Sequence, residues 1–428
     1  MCASAWAATH PMRLQRISVT GLFGIFDHDI PLNLQERITI IHGLNGYGKT
    51  VILQMIHEVL TGRYDALHTV PFTRFELGFD DGTSLRVEKA SPVVSSRSGR
   101  ESLRIVLTRP GQDDEEAKQI APEEPKQTTL REALYLQLFQ KRARGKHEGS
   151  ADTEPTVTPG LRALREGLPV RLVQTQRLLS SAKQEDPLMG EIEISMPTVQ
   201  LHSEALAREI QAVLAKYAAR SQELDRTFPT RLLEQHSTRP LSFEEFQSQL
   251  AKLEEHRSQL TALGLLDPEQ DLGGIPRTED LTKLSVLSIY IQDVKEKLAV
   301  FDELAAKIEL LMGIVNERFR YKKLSIDRQR GLLFTAPDGR PLPASALSSG
   351  EQHELVLLFE LLFRVQRDSV VLIDEPEISL HLTWQQQFLN DLMRVVALSG
   401  FDVIIATHSA DVIGEHWGLT VQLQGPPT

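Results

Sequence analysis

The chain has a single cysteine, Cys2, among its 428 residues. That excludes an internal disulfide framework and any cysteine-based zinc site. No stretch approaches the ~20 apolar residues that a bilayer-spanning helix needs, so no membrane partner is expected. The opening Met1-Cys2-Ala3-Ser4-Ala5-Trp6-Ala7-Ala8 lacks a basic run and is too short for a signal peptide, and a cytoplasmic location is expected. The first strand pattern starts at Met12-Arg13-Leu14, which leaves residues 1–11 as an extension. Positive charge is in deficit, with a net charge of −11. This argues against nonspecific wrapping by nucleic acid, though a local basic patch stays open. No internal repeat is visible, and the histidines lack metal-ligand spacing. Charged and apolar fractions are ordinary for a globular protein, and the length suffices for one large core plus an excursion.

What is present is concentrated at the two ends. Gly43-Leu44-Asn45-Gly46-Tyr47-Gly48-Lys49-Thr50 fits G-x-x-x-x-G-K-T. It follows a short apolar strand, Arg37 to His42, and precedes a helical run, Val51 to Leu60, that ends at Gly62. Strand, glycine loop and helix let backbone N–H groups converge on phosphate oxygens, with the helix dipole behind them. Gly43, Asn45, Gly46 and Gly48 form this cradle. Lys49 is expected to reach the β- and γ-phosphates of ATP, and the Thr50 hydroxyl to ligate Mg²⁺.

Near the other end, Ser369 to Ile373 reads as a buried parallel strand and closes on Asp374-Glu375. Two carboxylates at such a tip are costly unless a cation sits there. Asp374 is the candidate Mg²⁺ ligand, and Glu375, facing the other way in an extended chain, the candidate general base. A solvated acidic turn stopped by Pro376 is the plainer alternative. Phe401 to Thr407 is a second buried strand, and His408 at its tip is suited to sensing or donating to a γ-phosphate. Leu347-Ser348-Ser349-Gly350-Glu351-Gln352 opens an apolar helix, His353 to Val365, and forms a further anion site. One nucleotide needs one cradle; a second suggests service to the nucleotide of a partner copy.

Together these residues resemble the ABC-type ATPase superfamily in its SMC, Rad50, RecF and OLD-like branch: Walker A at 43–50, signature at 347–352, Walker B at 370–375, switch histidine at His408. The resemblance implies an α/β P-loop head with flanking helices and an antiparallel β subdomain, interrupted by a short inserted helical or coiled-coil arm. It implies that Ser348, with Gly350 and Glu351, contacts ATP bound to the other protomer. It also implies a glutamine linking nucleotide, metal and insertion; Val173-Gln174-Thr175-Gln176-Arg177-Leu178 is similar to that strand, with Gln176 the first candidate and Gln174 the second. Asp374-Glu375-Pro376-Glu377-Ile378-Ser379-Leu380-His381 is similar to the DEPE-x-x-LH form of AAA_15/AAA_21-type prokaryotic ATPases, which include ATPase subunits of anti-phage systems such as Septu and PARIS. Departures are Tyr47 for the more common serine, and Ser349 and Glu351-Gln352 in the signature. The Toprim domain of OLD nucleases is not found after His408.

Three regions follow: 1–198, N-terminal lobe; 199–319, helical insertion; 320–428, C-terminal lobe. In the first, Leu14 to Leu34 alternates as strands, Arg74–Phe79 and Ser84–Glu88 form a hairpin, and Leu103–Thr108 adds a strand. Gly111–Gln127 and residues 145–159 read as mobile loops, with Leu130–Arg142 a helix between them. In the insertion, Leu287, Ile291, Val294, Leu298, Phe301, Ala305, Ile308, Met312, Val315 and Phe319 alternate steps of four and three. That is a coiled-coil seam on one helix from Thr282 to Phe319, ~57 Å long; plain helices packed on the head are the alternative. Tyr321–Asp327 and Gly331–Ala336 form a hairpin. Basic clusters stand at 141–146 and 318–323, read as solvated faces or as DNA contacts.

Three functions are weighed. The first is a head-to-head ATPase dimer, or higher oligomer, that controls a separately encoded effector in anti-phage defence. The second is a RecF- or SMC-like DNA-repair clamp. The third is a stand-alone nuclease, against which the absence of a nuclease motif counts.

Overall fold

The computed structural model describes residues 12–90, 102–120, 158–173, 179–186, 190–234, 242–267, 281–343 and 346–425. The chain forms two compact units, one from residues 1–176 and 364–428, the other from residues 177–363. The second unit therefore takes in more than a helical insertion, since the strands and helix around the signature belong to it.

In the first unit, β1 (Leu14–Leu22), β2 (Phe26–Pro31), β4 (Arg74–Phe79), β5 (Ser84–Ala90), β6 (Ser102–Thr108) and β7 (Glu115–Ile120) build an antiparallel sheet in the order β2-β1-β4-β5-β6-β7. Glu115–Ile120 lies inside the segment expected to be a loop. It pairs with β6 at the sheet edge, where charged residues are compatible with a strand and blunt the alternation that would reveal it. Between β2 and β4 come β3 (Ile38–His42) and helix α1 (Lys49–Thr61). Helix α1 ends at Gly62, whose φ of 79° lets its N–H close onto the Glu58 carbonyl. After helix α2 (Pro159–Gly167) and β8 (Val170–Val173) the chain leaves this unit.

The second unit opens with the hairpin β9 (Leu179–Asp186) and β10 (Gly190–Pro197). Helices α3 (Thr198–Glu234), α4 (Phe243–Ala262), α5 (Leu281–Ala299) and α6 (Asp302–Arg318) follow. The apolar spacing holds: Ile291, Leu298, Phe301, Ile308, Val315 and Phe319 are all buried. The single helix expected over 282–319 is broken, however, at Val300–Phe301. The Phe301 N–H turns back to the Leu298 carbonyl, the Phe301 ring packs on Tyr217, and Asp302 and Glu303 begin α6, where acidic side chains suit the helix dipole. Helix α5 packs against both α3 and α4. It runs opposite to α3, with Arg220 reaching Glu296 and Arg231 reaching the buried Asp293. The strands β11 (Lys323–Asp327), β12 (Gly331–Thr335) and β13 (Pro341–Leu342) form the expected hairpin with one added strand. Helix α7 (Ser349–Phe359) then passes into a π-helical turn, Glu360–Arg364, instead of continuing as α-helix to Val365.

Back in the first unit, β14 (Val370–Asp374), helix α8 (Leu382–Ser399), β15 (Asp402–Thr407) and β16 (Thr420–Gln422) complete a parallel sheet in the order β16-β3-β15-β14-β8. One apolar core joins the antiparallel sheet (Ile17, Leu77), helix α1 (Ile52, Ile56) and the parallel strands (Leu372, Ile404). The register sets Thr407 beside His42 and Asp374 beside Ala406, so β3, β15 and β14 end together at their carboxyl ends. That is where an open α/β sheet binds ligands. Among the described residues, no helix is long and apolar enough to cross a membrane. Residues 130–142 and the basic cluster at 141–146 lie outside the described residues.

Candidate active site

The loop between β3 and α1 is held by its own backbone and by an aromatic prop. Gly48 caps α1 at φ 90°, and no side chain caps the helix. The first N–H groups of α1 are therefore left for an anion. A Cβ at Gly48 would come within 2.5 Å of the Leu22 side chain, so the loop needs glycine there for both conformation and space. Tyr47, the departure from the usual serine, packs its ring on Phe26 at 5.3 Å, and its carbonyl lies 3.0 Å from His28 Nε2. The larger residue thus braces the loop against β2.

Lys49 is buried, and its ammonium donates to the carbonyls of Gly43 (2.8 Å) and Leu44 (3.2 Å). The Thr50 hydroxyl donates to Asp374 Oδ1 at 3.1 Å, joining the front of α1 to the tip of β14. Burial pushes the Asp374 carboxyl above its usual range. Thr50 and Lys49 pull it down, and Glu375 and Glu377 push it further up. A cation held by Thr50 and Asp374 would relieve that crowding of carboxylates, so these residues fit Mg²⁺.

Glu375 is not extended. Its φ of 43° and ψ of 61° are left-handed, and its N–H donates to the Ala406 carbonyl. The turn brings it into the lining of a cleft of about 250 Å³, shared with Asn45, Gly46, Gly48, Lys49 and Thr50. Phe23, from the turn between β1 and β2, lines the same cleft and was not singled out from the sequence. His408 is half exposed. Its Nδ1 lies 3.8 Å from Glu375 Oε1 and 3.1 Å from Glu377 Oε1. Glu377 also escaped the sequence reading, although the DEPE motif contains it. Gln174 and Gln176 lie outside the described residues.

The signature helix belongs to the second unit. Ser348 caps α7, its hydroxyl oxygen accepting the Glu351 N–H, while Glu351 Oε2 accepts the Ser348 N–H at 2.6 Å. A hydroxyl that accepts keeps its own proton to donate, so Ser348 is still equipped to meet a phosphate. Glu351 is buried and pairs with Lys322 at 2.5 Å, which makes it the brace of the cap. Gly350 sits in the first turn of α7. Arg318 pairs with Glu354 at 3.1 Å, both buried. Two of the cations in the 318–323 cluster are thus committed to α7.

Burial pushes the Glu354 carboxyl up to about 7, against the pull of the Arg318 guanidinium. From its ordinary value of 4.5 to about 7, the folded chain holds a proton there that the unfolded chain releases. Stability therefore falls as pH rises through that window, by ~3 kcal/mol at most. Glu354→Gln should gain on the parental protein across pH 4.5–7 in denaturant titrations. A flat difference between the two would show that Arg318 keeps the carboxyl ionised throughout.

A family model described as "AAA domain" matches residues 22–314. A second, described as "AAA domain, putative AbiEii toxin, Type IV TA system", matches residues 224–413. The UvrABC system protein A of Synechocystis sp. is 30% identical over 129 residues, which is 30% of this chain and 12% of that protein. Among solved structures, the Smc head domain with an extended coiled coil bound to the C-terminal domain of ScpA, from Pyrococcus furiosus, is 14% identical, covers 97% of this chain and 94% of its own, and has a TM-score of 0.38. The SMC head domain from Thermotoga maritima is 11% identical over 94% of this chain and 91% of its own, with a TM-score of 0.33. The family models agree with the resemblance to ABC-type ATPases drawn from the motifs. Matched over residues 22–314 and carrying the phosphate loop on a parallel α/β sheet, the chain belongs to the AAA domain family.

Proposed function

We propose that the chain binds MgATP in the cleft at the tips of β3, β14 and β15, hydrolyses it, and uses ATP to hold two copies head to head. The observation that carries this reading is the Thr50–Asp374 hydrogen bond, which sets a hydroxyl and a carboxylate 3.1 Å apart beside an uncapped helix start. Thr50 and Asp374 would hold Mg²⁺, which when bound supplies Lewis-acid polarisation of the phosphate oxygens. Lys49 transfers its donors from the loop carbonyls to the phosphates. Glu375 takes the proton of the attacking water, and His408 stands by the γ-phosphate. Ser348, on the first turn of α7, serves the nucleotide of the other copy.

The role we infer for this engine is control of a separately encoded effector in anti-phage defence. The DEPE-x-x-LH residues support it, as does the match of residues 224–413 to a model whose description includes a putative AbiEii toxin. A DNA clamp of the RecF or SMC kind is the second reading. Arg320, Tyr321 and Lys323 are exposed and favour it, but Arg318 and Lys322 of the same run are paired to α7.

The test is complementation in trans. Ser348→Arg should bind ATP through its own cradle yet lose at least about tenfold in turnover, because it cannot complete its partner's site. Mixed with Lys49→Ala, it should recover part of that turnover through one intact composite site. Parental hydrolysis by Ser348→Arg alone would rule out the shared site.

A further inference from the structure

Glu377 is the most enclosed acid of the cleft region, 7% exposed against 29% for the Glu375 side chain. Its Oε1 accepts the Thr407 hydroxyl at 2.6 Å and the His408 backbone N–H at 3.1 Å, and lies 3.1 Å from His408 Nδ1. Thr407 is fully buried, and its oxygen in turn accepts the Ser409 N–H at 3.0 Å. The Ser409 hydroxyl reaches Gln385 Oε1 at 3.4 Å, and Gln385 Nε2 donates to the Glu377 carbonyl at 3.1 Å. The bonds form a closed ring, Glu377–Thr407–Ser409–Gln385–Glu377, around the backbone of His408. It locks the turn after β14 to the end of β15.

A carboxylate only accepts, so the nitrogen facing it must carry the proton. We propose that Glu377 is the positioning residue of His408: it holds the Nδ1–H tautomer and the ring orientation, and leaves Nε2 as the nitrogen able to meet substrate. Glu375, 3.8 Å from the same nitrogen, is then spared from pairing with the histidine and stays available to the water. A carboxylate behind an imidazole fixes in this way what the ring can do. It rests on the reading of His408 as a phosphate-facing residue of an ATPase.

The experiment uses the full chain. Glu377→Gln keeps the shape and the acceptor for Thr407 but loses the charge. By analogy with the carboxylates that orient metal-bound histidines, it should cut kcat about 10- to 100-fold, with ATP affinity within about twofold of parental. Because Glu377 acts through His408, the Glu377→Gln/His408→Gln double variant should turn over no more slowly than His408→Gln alone. In ¹⁵N-histidine spectra, the His408 signal, identified by its loss in His408→Gln, should show a protonated Nδ1. In Glu377→Leu the Nε2–H form should grow. Parental turnover in Glu377→Gln, losses that multiply in the double variant, or equal falls in affinity and kcat would overturn the proposal. A bare Nδ1 in the parental spectrum would overturn it too. A parental chain that hydrolyses no ATP would remove the hydrolysis reading instead, and the tautomer would still decide the role of Glu377.

Discussion

Lys49→Ala should bind ATP about 100-fold more weakly than the parental chain in a calorimetric titration. The ammonium is buried at the start of α1 and already spends its donors on two loop carbonyls, Gly43 and Leu44. It therefore does two jobs. It shapes the loop, and it offers charge-assisted bonds to phosphate, which are about twice as strong as neutral ones. Alanine removes both, and nothing else described in the cleft supplies a cation at that depth. Unchanged affinity would mean that the phosphates lie elsewhere, and the whole assignment of the cleft would fall.

Glu375→Gln should slow phosphate release by about 10²- to 10⁴-fold, the usual worth of a placed general base. Glutamine matches the carboxylate in size and still hydrogen-bonds water, but it cannot accept the proton as the water attacks. Asp374 and Thr50 are untouched, so MgATP should still bind. On the proposed cycle, in which ATP joins the copies and hydrolysis parts them, the variant should accumulate as the ATP-bound assembly. Light scattering after size exclusion, with and without MgATP, would show a larger mass only with nucleotide. A parental rate in Glu375→Gln would place the base on another residue.

The parts of this molecule that were legible are those whose local pattern has one physical solution. β3, β14 and β15 are continuous apolar runs because both faces are buried, and the glycines of the loop can only mean tight backbone. β7 was lost because an edge strand tolerates charges such as Glu115 and Glu116, so its composition reads as loop. The break between α5 and α6 was invisible because the four–three spacing runs through Phe301 unchanged, while the contact the Phe301 ring makes at the break is with Tyr217, far away in sequence. Glu377 was passed over because a charge after proline suggests an exposed turn. Its burial is made by Thr407 and His408, thirty-odd positions on. Phe23 reaches the cleft only through the pairing of β1 with β2, which no local window contains.

The left-handed backbone at Glu375 has one more implication. A side chain with a Cβ held in that region is disfavoured by roughly 1–2 kcal/mol relative to glycine. Selection for folding alone would therefore drift toward glycine or asparagine at this position. Glutamate stands there against the preference of its own backbone, so glycine or asparagine at 375 should yield a sturdier protein. A library sorted only for thermal resistance would then enrich glycine and asparagine at 375, and on the proposed role of Glu375 as general base those chains would bind MgATP and hydrolyse it poorly.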